Sequence, residues 1–194
     1  TLKSGVIQNI GKIEGLEDIR VRERKALVEF YEAAGGDNWD NNTNWCSDAP
    51  VSEWYGVGTN GEGLVISLDM MNNGIVCEDV PESLADLKFL RSLWLRTTSD
   101  EIPYNVLKLK GLTWLEWSMD GYAGALPKEI SQLNDLTHLM MSGSFTSIPD
   151  EIADLDKLEH LLITGPWYGG GNIPGGIPHA VSRLKNLKYF GMSY

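Results

Sequence analysis

Residues 126–141 read LPKEISQLNDLTHLMM, and two periods run through this one stretch. Counting from Pro127, apolar side chains return at every third residue, as Ile130, Leu133 and Leu136. From Leu136 the pattern becomes L-x-x-L-x-L, with Leu139 and Met141 in the second and third apolar places. A period of three keeps one face of a 3₁₀-like or short helical turn inward. The alternation Leu139, Met141 turns one face of a strand inward. The proline suits the start of the turn, where an N–H would lack a partner anyway.

The same double register recurs along the chain. The frame falls on Val65, Leu68 and Met70; Leu90, Leu93 and Leu95; Leu112, Leu115 and Trp117; Leu136, Leu139 and Met141; Leu158, Leu161 and Ile163; and Leu187, Phe190 and Met192. Its starts are 25, 22, 24, 22 and 29 residues apart. An apolar-proline pair precedes each later frame, at Val80-Pro81, Ile102-Pro103, Leu126-Pro127, Ile148-Pro149 and Ile177-Pro178. Each unit reads as a strand, a turn and a compact helical return. One unit cannot bury its own leucines, whereas stacked units share a continuous core. The pattern predicts an α/β solenoid with a concave parallel sheet and short helical or 3₁₀ returns on the convex side.

The segment from Val65 to Tyr194 resembles a leucine-rich-repeat domain, which implies a right-handed arc. Gly124-Ala125-Leu126-Pro127 and Asn72-Asn73 are similar to the plant-receptor-like subtype, whose consensus continues N-x-L-x-G-x-I-P. Only the third repeat carries the G-x-L-P piece, and the 22-residue units are shorter than that subtype. The resemblance also implies an asparagine ladder bonding backbone amides. Asn73 holds that position in the first repeat, and Thr98, Asp120, Ser144 and Pro166 replace it later.

Ahead of the repeats, Arg20 to Ala34 reads as a helix. Ala26, Leu27, Phe30 and Tyr31 form an apolar stripe, and Gly35-Gly36 supplies the stop. The order helix, Asn38-Trp39, Cys46, then Trp54-Tyr55-Gly56-Val57 resembles the N-terminal cap of plant-like repeats and of bacterial cell-surface proteins that share it. A solenoid end exposes apolar side chains and sheet edge, so a cap is physically required. The division expected is an extended arm over 1–19, a helical cap over 20–64 and six repeats over 65–194, the last incomplete. Trp39, Trp45 and Trp54 are expected to wedge between the cap helix and the first strand. The Asp/Asn-rich run 37–44 lacks the spacing of a calcium loop, and such runs are common in turns. Cys46 and Cys77 are either thiols or a staple from cap to solenoid, the latter only with α-carbons within about 7 Å.

Net charge is −11, which disfavours nucleic acid and anionic membrane as partners. No apolar run is long enough for a membrane-spanning segment. Side chains flanking the buried strand positions point to the concave face in three columns. The first is Ser67, Ser92, Trp114, His138, His160 and Tyr189. The second is Asp69, Trp94, Glu116, Met140, Leu162 and Gly191, and the third Met71, Arg96, Ser118, Ser142, Thr164 and Ser193. Large aromatics held outward on a rigid sheet suit a binding hot spot. The long fifth unit adds a glycine-rich loop carrying Trp167 and Tyr168, placed to form a rim.

The residues expected to meet a partner are Trp94, Arg96, Trp114, Glu116, His138, Met140, His160, Leu162, Trp167, Tyr168 and Tyr189. His138 and His160 share adjacent strands but lack a third ligand, so no metal is expected. No nucleophile–base grouping or phosphate-cradling glycine motif is written in the chain, and neither a cofactor nor catalysis is expected. The expected function is non-enzymatic binding of a protein or peptide ligand. A glycan stacked on Trp94, Trp114 and Trp167, with Asp69 and Glu116 taking its hydroxyls, is the alternative. The resemblance implies a secreted or cell-surface location. An open last strand over Phe190 and Met192 would also let a homodimer form through the C-terminal edge, or serve an adhesive surface segment.

Overall fold

The computed structural model describes residues 2–74, 77–165 and 176–193. A helix, α1 (Leu2–Ala33), leads into a seven-stranded sheet in sequence order. Its strands are β1 (Val57–Thr59), β2 (Val65–Asp69), β3 (Ser92–Thr97), β4 (Trp114–Ala125), β5 (His138–Ser147), β6 (His160–Thr164) and β7 (Tyr189–Ser193). β2 to β7 pair in parallel, whereas β1 is antiparallel to β2. Five 3₁₀ turns return the chain between the parallel strands, at Glu82–Asp86, Tyr104–Lys108, Lys128–Gln132, Asp150–Asp154 and His179–Arg183.

The period of three has a hydrogen-bond counterpart. Each proline stands one residue ahead of its 3₁₀ turn, and its carbonyl accepts from the third residue on, as in Leu84 N–H to Pro81 O at 3.1 Å. Leu87 then donates to Leu84 and Leu90 to Leu87, both at 3.1 Å. The same relay runs from Pro103, Pro127, Pro149 and Pro178. The every-third apolar residue is therefore both the inward side chain and the donor of the next bond. In the strands, Leu68, Leu93, Leu115, Leu139 and Leu161 are fully buried in one stacked column.

Three features differ from expectation or go beyond it. The arm predicted as extended over 1–19 is helical from Leu2, so α1 is one 32-residue helix. No proline interrupts this segment, and its glycines Gly5, Gly11 and Gly15 weaken a helix by about 1 kcal/mol each without forbidding it. Leu2, Val6, Ile10 and Ile13 fall four, four and three residues apart, a helical spacing that the interspersed Gly, Lys and Glu obscure. Towards the C-terminal end of the helix, Ala26, Leu27 and Phe30, with Ala34 just beyond it, are buried. Second, the cap supplies β1, which covers the first edge of the parallel sheet with its own hydrogen bonds. Third, β4 and β5 run to 12 and 10 residues. Beyond an irregularity at Met119–Ala123 they pair again through Gly124 and Phe145, extending the sheet past the concave face.

The cap is held by aromatic packing and by polar bonds to the first repeat. Trp39, Trp45 and Trp54 are buried, and their indole N–H groups donate to the carbonyls of Ala34, Tyr55 and Ala49 at 2.9, 2.8 and 3.2 Å. Trp45 sits 5.0 Å from Trp39 and 5.1 Å from Trp54, so the three form one cluster with Phe30. The Arg24 guanidinium lies 4.9 Å over the Trp54 ring and bonds the carbonyls of Ala49 and Ser47. Glu23, fully buried, accepts the Val65 N–H at 2.9 Å and so ties α1 to the start of β2. Burial pushes its carboxyl up, and the Val65 N–H works against that.

Asn73 holds the ladder position, but its partners are not repeat amides. Its amide oxygen accepts the Asn41 N–H at 2.8 Å and its amide nitrogen donates to the Asn41 carbonyl at 2.9 Å. The residue fastens the cap loop to the first repeat.

Cys46 and Cys77 are free thiols, the first exposed and the second fully buried. Burial, aided by the charge of Asp79, pushes the Cys77 thiol up to about 12. A thiolate is the reactive form, so Cys77 is inert while folded. Native protein treated with an aromatic disulfide reagent at pH 8 should release about one thiol equivalent, and denatured protein about two. Rapid reaction of both in the native state would contradict the placement of Cys77.

Candidate functional site

The concave face is assembled by the parallel register. Ser92, Trp114, His138, His160 and Tyr189 are direct neighbours across β3 to β7. Asp69, Trp94, Glu116, Met140, Leu162 and Gly191 form the next column, and Arg96, Ser118, Ser142, Thr164 and Ser193 the third. Buried leucines between these columns force the alternation, because a strand turns successive side chains to opposite faces.

The first column is a stack of rings. Trp114 and His138 lie 4.2 Å apart at 12°, and His138 and His160 4.2 Å apart at 8°. His160 continues to Tyr189 at 6.2 Å, and Trp94 joins beside Trp114 at 5.9 Å. Apart from Tyr189, which is exposed, these rings are half-buried. Strand spacing of about 4.8 Å sets the repeat, and flat rings tilt slightly to close it.

Hydrogen bonds set the state of His138. The Thr137 hydroxyl donates to the Thr113 carbonyl at 2.9 Å, so its oxygen receives the His138 Nδ1–H, also at 2.9 Å. Burial holds the His138 imidazole below its ordinary value, His160 and Lys188 add to this, and Glu159 opposes it. These lowering effects favour the neutral imidazole, which stacks between Trp114 and His160. Trp114 Nε1 and His160 Nδ1 are buried without a hydrogen-bond partner among the described residues.

The third column carries a polar chain. Ser142 Oγ donates to Ser118 Oγ at 2.9 Å, and Ser118 Oγ to Asp120 Oδ1 at 2.7 Å. Arg96 meets the other oxygen, Oδ2, through Nε at 2.6 Å and through its second nitrogen at 2.5 Å. Asp120, at a ladder position by sequence, instead orients Arg96. Thr137 and Asp120 were not among the predicted partner residues. Thr137 sits just before its strand and Asp120 just past the third column, so a column count misses both.

Between the second and third columns lies a cavity of about 230 Å³, lined by Met71, Glu116, Met140, Ser142, Leu162 and Thr164 among others. Glu116, one of the lining residues, is half-buried. Burial, and next the charge of Asp69, holds its carboxyl above the usual carboxylate range. The structure thus brings together Trp94, Arg96, Trp114, Glu116, His138, Met140, His160, Leu162 and Tyr189. Trp167 and Tyr168 lie outside the described residues. Among the described residues, no group of three His, Cys, Asp or Glu is placed to hold a metal ion. No described helix is long and apolar enough to cross a membrane.

No protein-family model and no curated protein matches the chain. Solved structures do. The crystal structure of a plant ice-binding protein superposes with a TM-score of 0.64 at 23% identity, covering 88% of this chain and 56% of that one. The BIR3–SERK2 complex from Arabidopsis thaliana gives 0.60 at 22% identity, covering 87% and 94%. The leucine-rich-repeat ectodomain of the receptor kinase SOBIR1 from Arabidopsis thaliana gives 0.59 at 21%, covering 88% and 91%. The chain spans little more than half of the ice-binding protein. At these identities the likeness defines the fold. The molecule is a leucine-rich-repeat solenoid with a helical N-terminal cap.

Proposed function

We propose that this chain is a non-enzymatic binding module whose concave face takes a protein or peptide partner. The observation carrying the reading is the ring stack Trp114–His138–His160–Tyr189, with Trp94 beside it and a cavity adjoining. Rigid aromatics lose little conformational freedom on contact and bury much apolar area, which is why they dominate binding hot spots. The resemblance to ectodomain repeats supports a secreted or cell-surface setting for such contacts.

The test is selection of a random peptide library on the immobilised chain. Selected peptides should bind at least about 30-fold more weakly to Trp94→Ala and to Trp114→Ala. A Tyr104→Ala control on an exposed return turn should bind as the parent does. Lost ring stacking should lower stability by only about 1 kcal/mol per variant, checked by thermal unfolding. Undiminished binding to the double variant would sink the proposal. Capture of sugars on a glycan array, with no peptide selected, would transfer the face to carbohydrate.

A further inference from the structure

The second column has a feature that ring stacking does not use. Asp69 pairs in register with Trp94, and Trp94 with Glu116, so the backbone position of one tryptophan lies between those of two carboxylates on neighbouring strands. Strand spacing places each about 4.8 Å from the indole's backbone position. Burial, and next the charge of Asp69, pushes the Glu116 carboxyl up, so a nearby positive charge would relieve both. Arg96, the one Lys or Arg in the three columns, already pairs with Asp120. Glu116 meets no basic side chain among the described residues. An aromatic ring attracts a cation through its negative face, and flanking carboxylates add charge attraction.

We propose that the Asp69–Trp94–Glu116 row is a subsite for a cationic side chain, a guanidinium or ammonium, of the peptide bound on the concave face. This rests on the concave-face reading. The adjoining cavity of about 230 Å³, lined by Glu116, Met140 and Leu162 among others, receives an apolar residue of the same peptide. Trp94 and the Met140–Leu162 pair are two to three strands apart, about 10–14 Å. That distance is three to four residues of extended chain, so the ligand carries a basic and an apolar residue at that spacing. A bound cation also compensates the burial that disfavours the Glu116 carboxylate. Binding therefore weakens as pH falls through the raised Glu116 value, where the carboxylate takes up a proton.

The probes are Nα-acetyl-arginine amide and its neutral isostere Nα-acetyl-citrulline amide. Binding is read from the Trp94 indole N–H resonance, assigned by its loss in Trp94→Phe. The arginine probe should shift this resonance saturably and bind about tenfold more tightly than the citrulline probe, with strong salt dependence. Asp69→Asn and Glu116→Gln should each weaken the arginine probe by about threefold or more and flatten its salt dependence. Removing a half-buried charge at constant shape should leave Glu116→Gln at least as stable as the parent, so lost binding would not mean lost folding. Equal binding of the two probes, or no shift with arginine, overturns the subsite. Selected peptides that depend on Trp94 and Trp114 but ignore both carboxylate substitutions also overturn it, while the concave-face reading stands. Peptides indifferent to the tryptophans overturn the face itself.

Discussion

Replacing Trp117 with alanine should lower the unfolding free energy by about 3–5 kcal/mol. Trp117 takes the inward place on β4 where its neighbours put Leu95 and Met141, and it is 1% exposed. Truncation opens a cavity between stacked repeats, and partial collapse cannot fill an indole's volume. It also removes a bond, since Trp117 Nε1 donates to Thr97 Oγ1 at 3.0 Å and Thr97 is itself buried. The defect falls in the middle of the stack. Each repeat touches only its neighbours, so the coupling between the two halves is what weakens. Urea unfolding followed by circular dichroism measures the effect, and Trp94→Ala on the opposite face supplies the contrast. A loss below about 1 kcal/mol would show that the indole is outside the core.

Gly56→Ala should cost about 2–5 kcal/mol, from left-handed strain and a backbone overlap together. Gly56 has φ 77°, and a β-carbon there would lie 2.2 Å from the Asp69 carbonyl oxygen. The close approach is structural, because the Gly56 carbonyl accepts the Asp69 N–H at 2.7 Å and so docks the cap on β2. Only a backbone shift relieves the overlap, and that shift breaks the bond. The Asp69 amide should lose its protection from hydrogen exchange before the repeats unfold. Gly61→Ala is the matching control: nothing lies within 4 Å of its added β-carbon. It should be neutral or slightly stabilising. Equal stability of the two variants would remove the docking role of Gly56.

Both predictions concern residues that the sequence already set apart, Trp117 in the L-x-x-L-x-L frame and Gly56 in Trp54-Tyr55-Gly56-Val57. The frame marks Trp117 as inward without coordinates, since every equivalent position is apolar. It assigned the three outward columns just as well, because a strand's side-chain period is two and the repeat aligns one strand with the next. Gly56 was legible only as part of a cap motif. Its φ and its contact with Asp69 depend on where β1 lies, and no local period announces an antiparallel strand of three residues. Residues 1–19 escape for another reason: their apolar residues return every three or four positions, but three glycines interrupt the pattern.

What the sequence by itself determined is the repeat: which side chains face inward, which outward, and that units must stack to bury their leucines. These follow from local periodicity, which the backbone imposes within a few residues. Only the tertiary structure decided how polar side chains spend their bonds. Asn73 reaches Asn41 across 32 positions, Arg96 reaches Asp120 across 24, and Glu23 reaches Val65 across 42. Nor could the count of cysteines tell thiols from a disulfide. A hydrogen bond or ion pair depends on distances of a few ångströms between residues far apart in the chain, and such distances are set by packing.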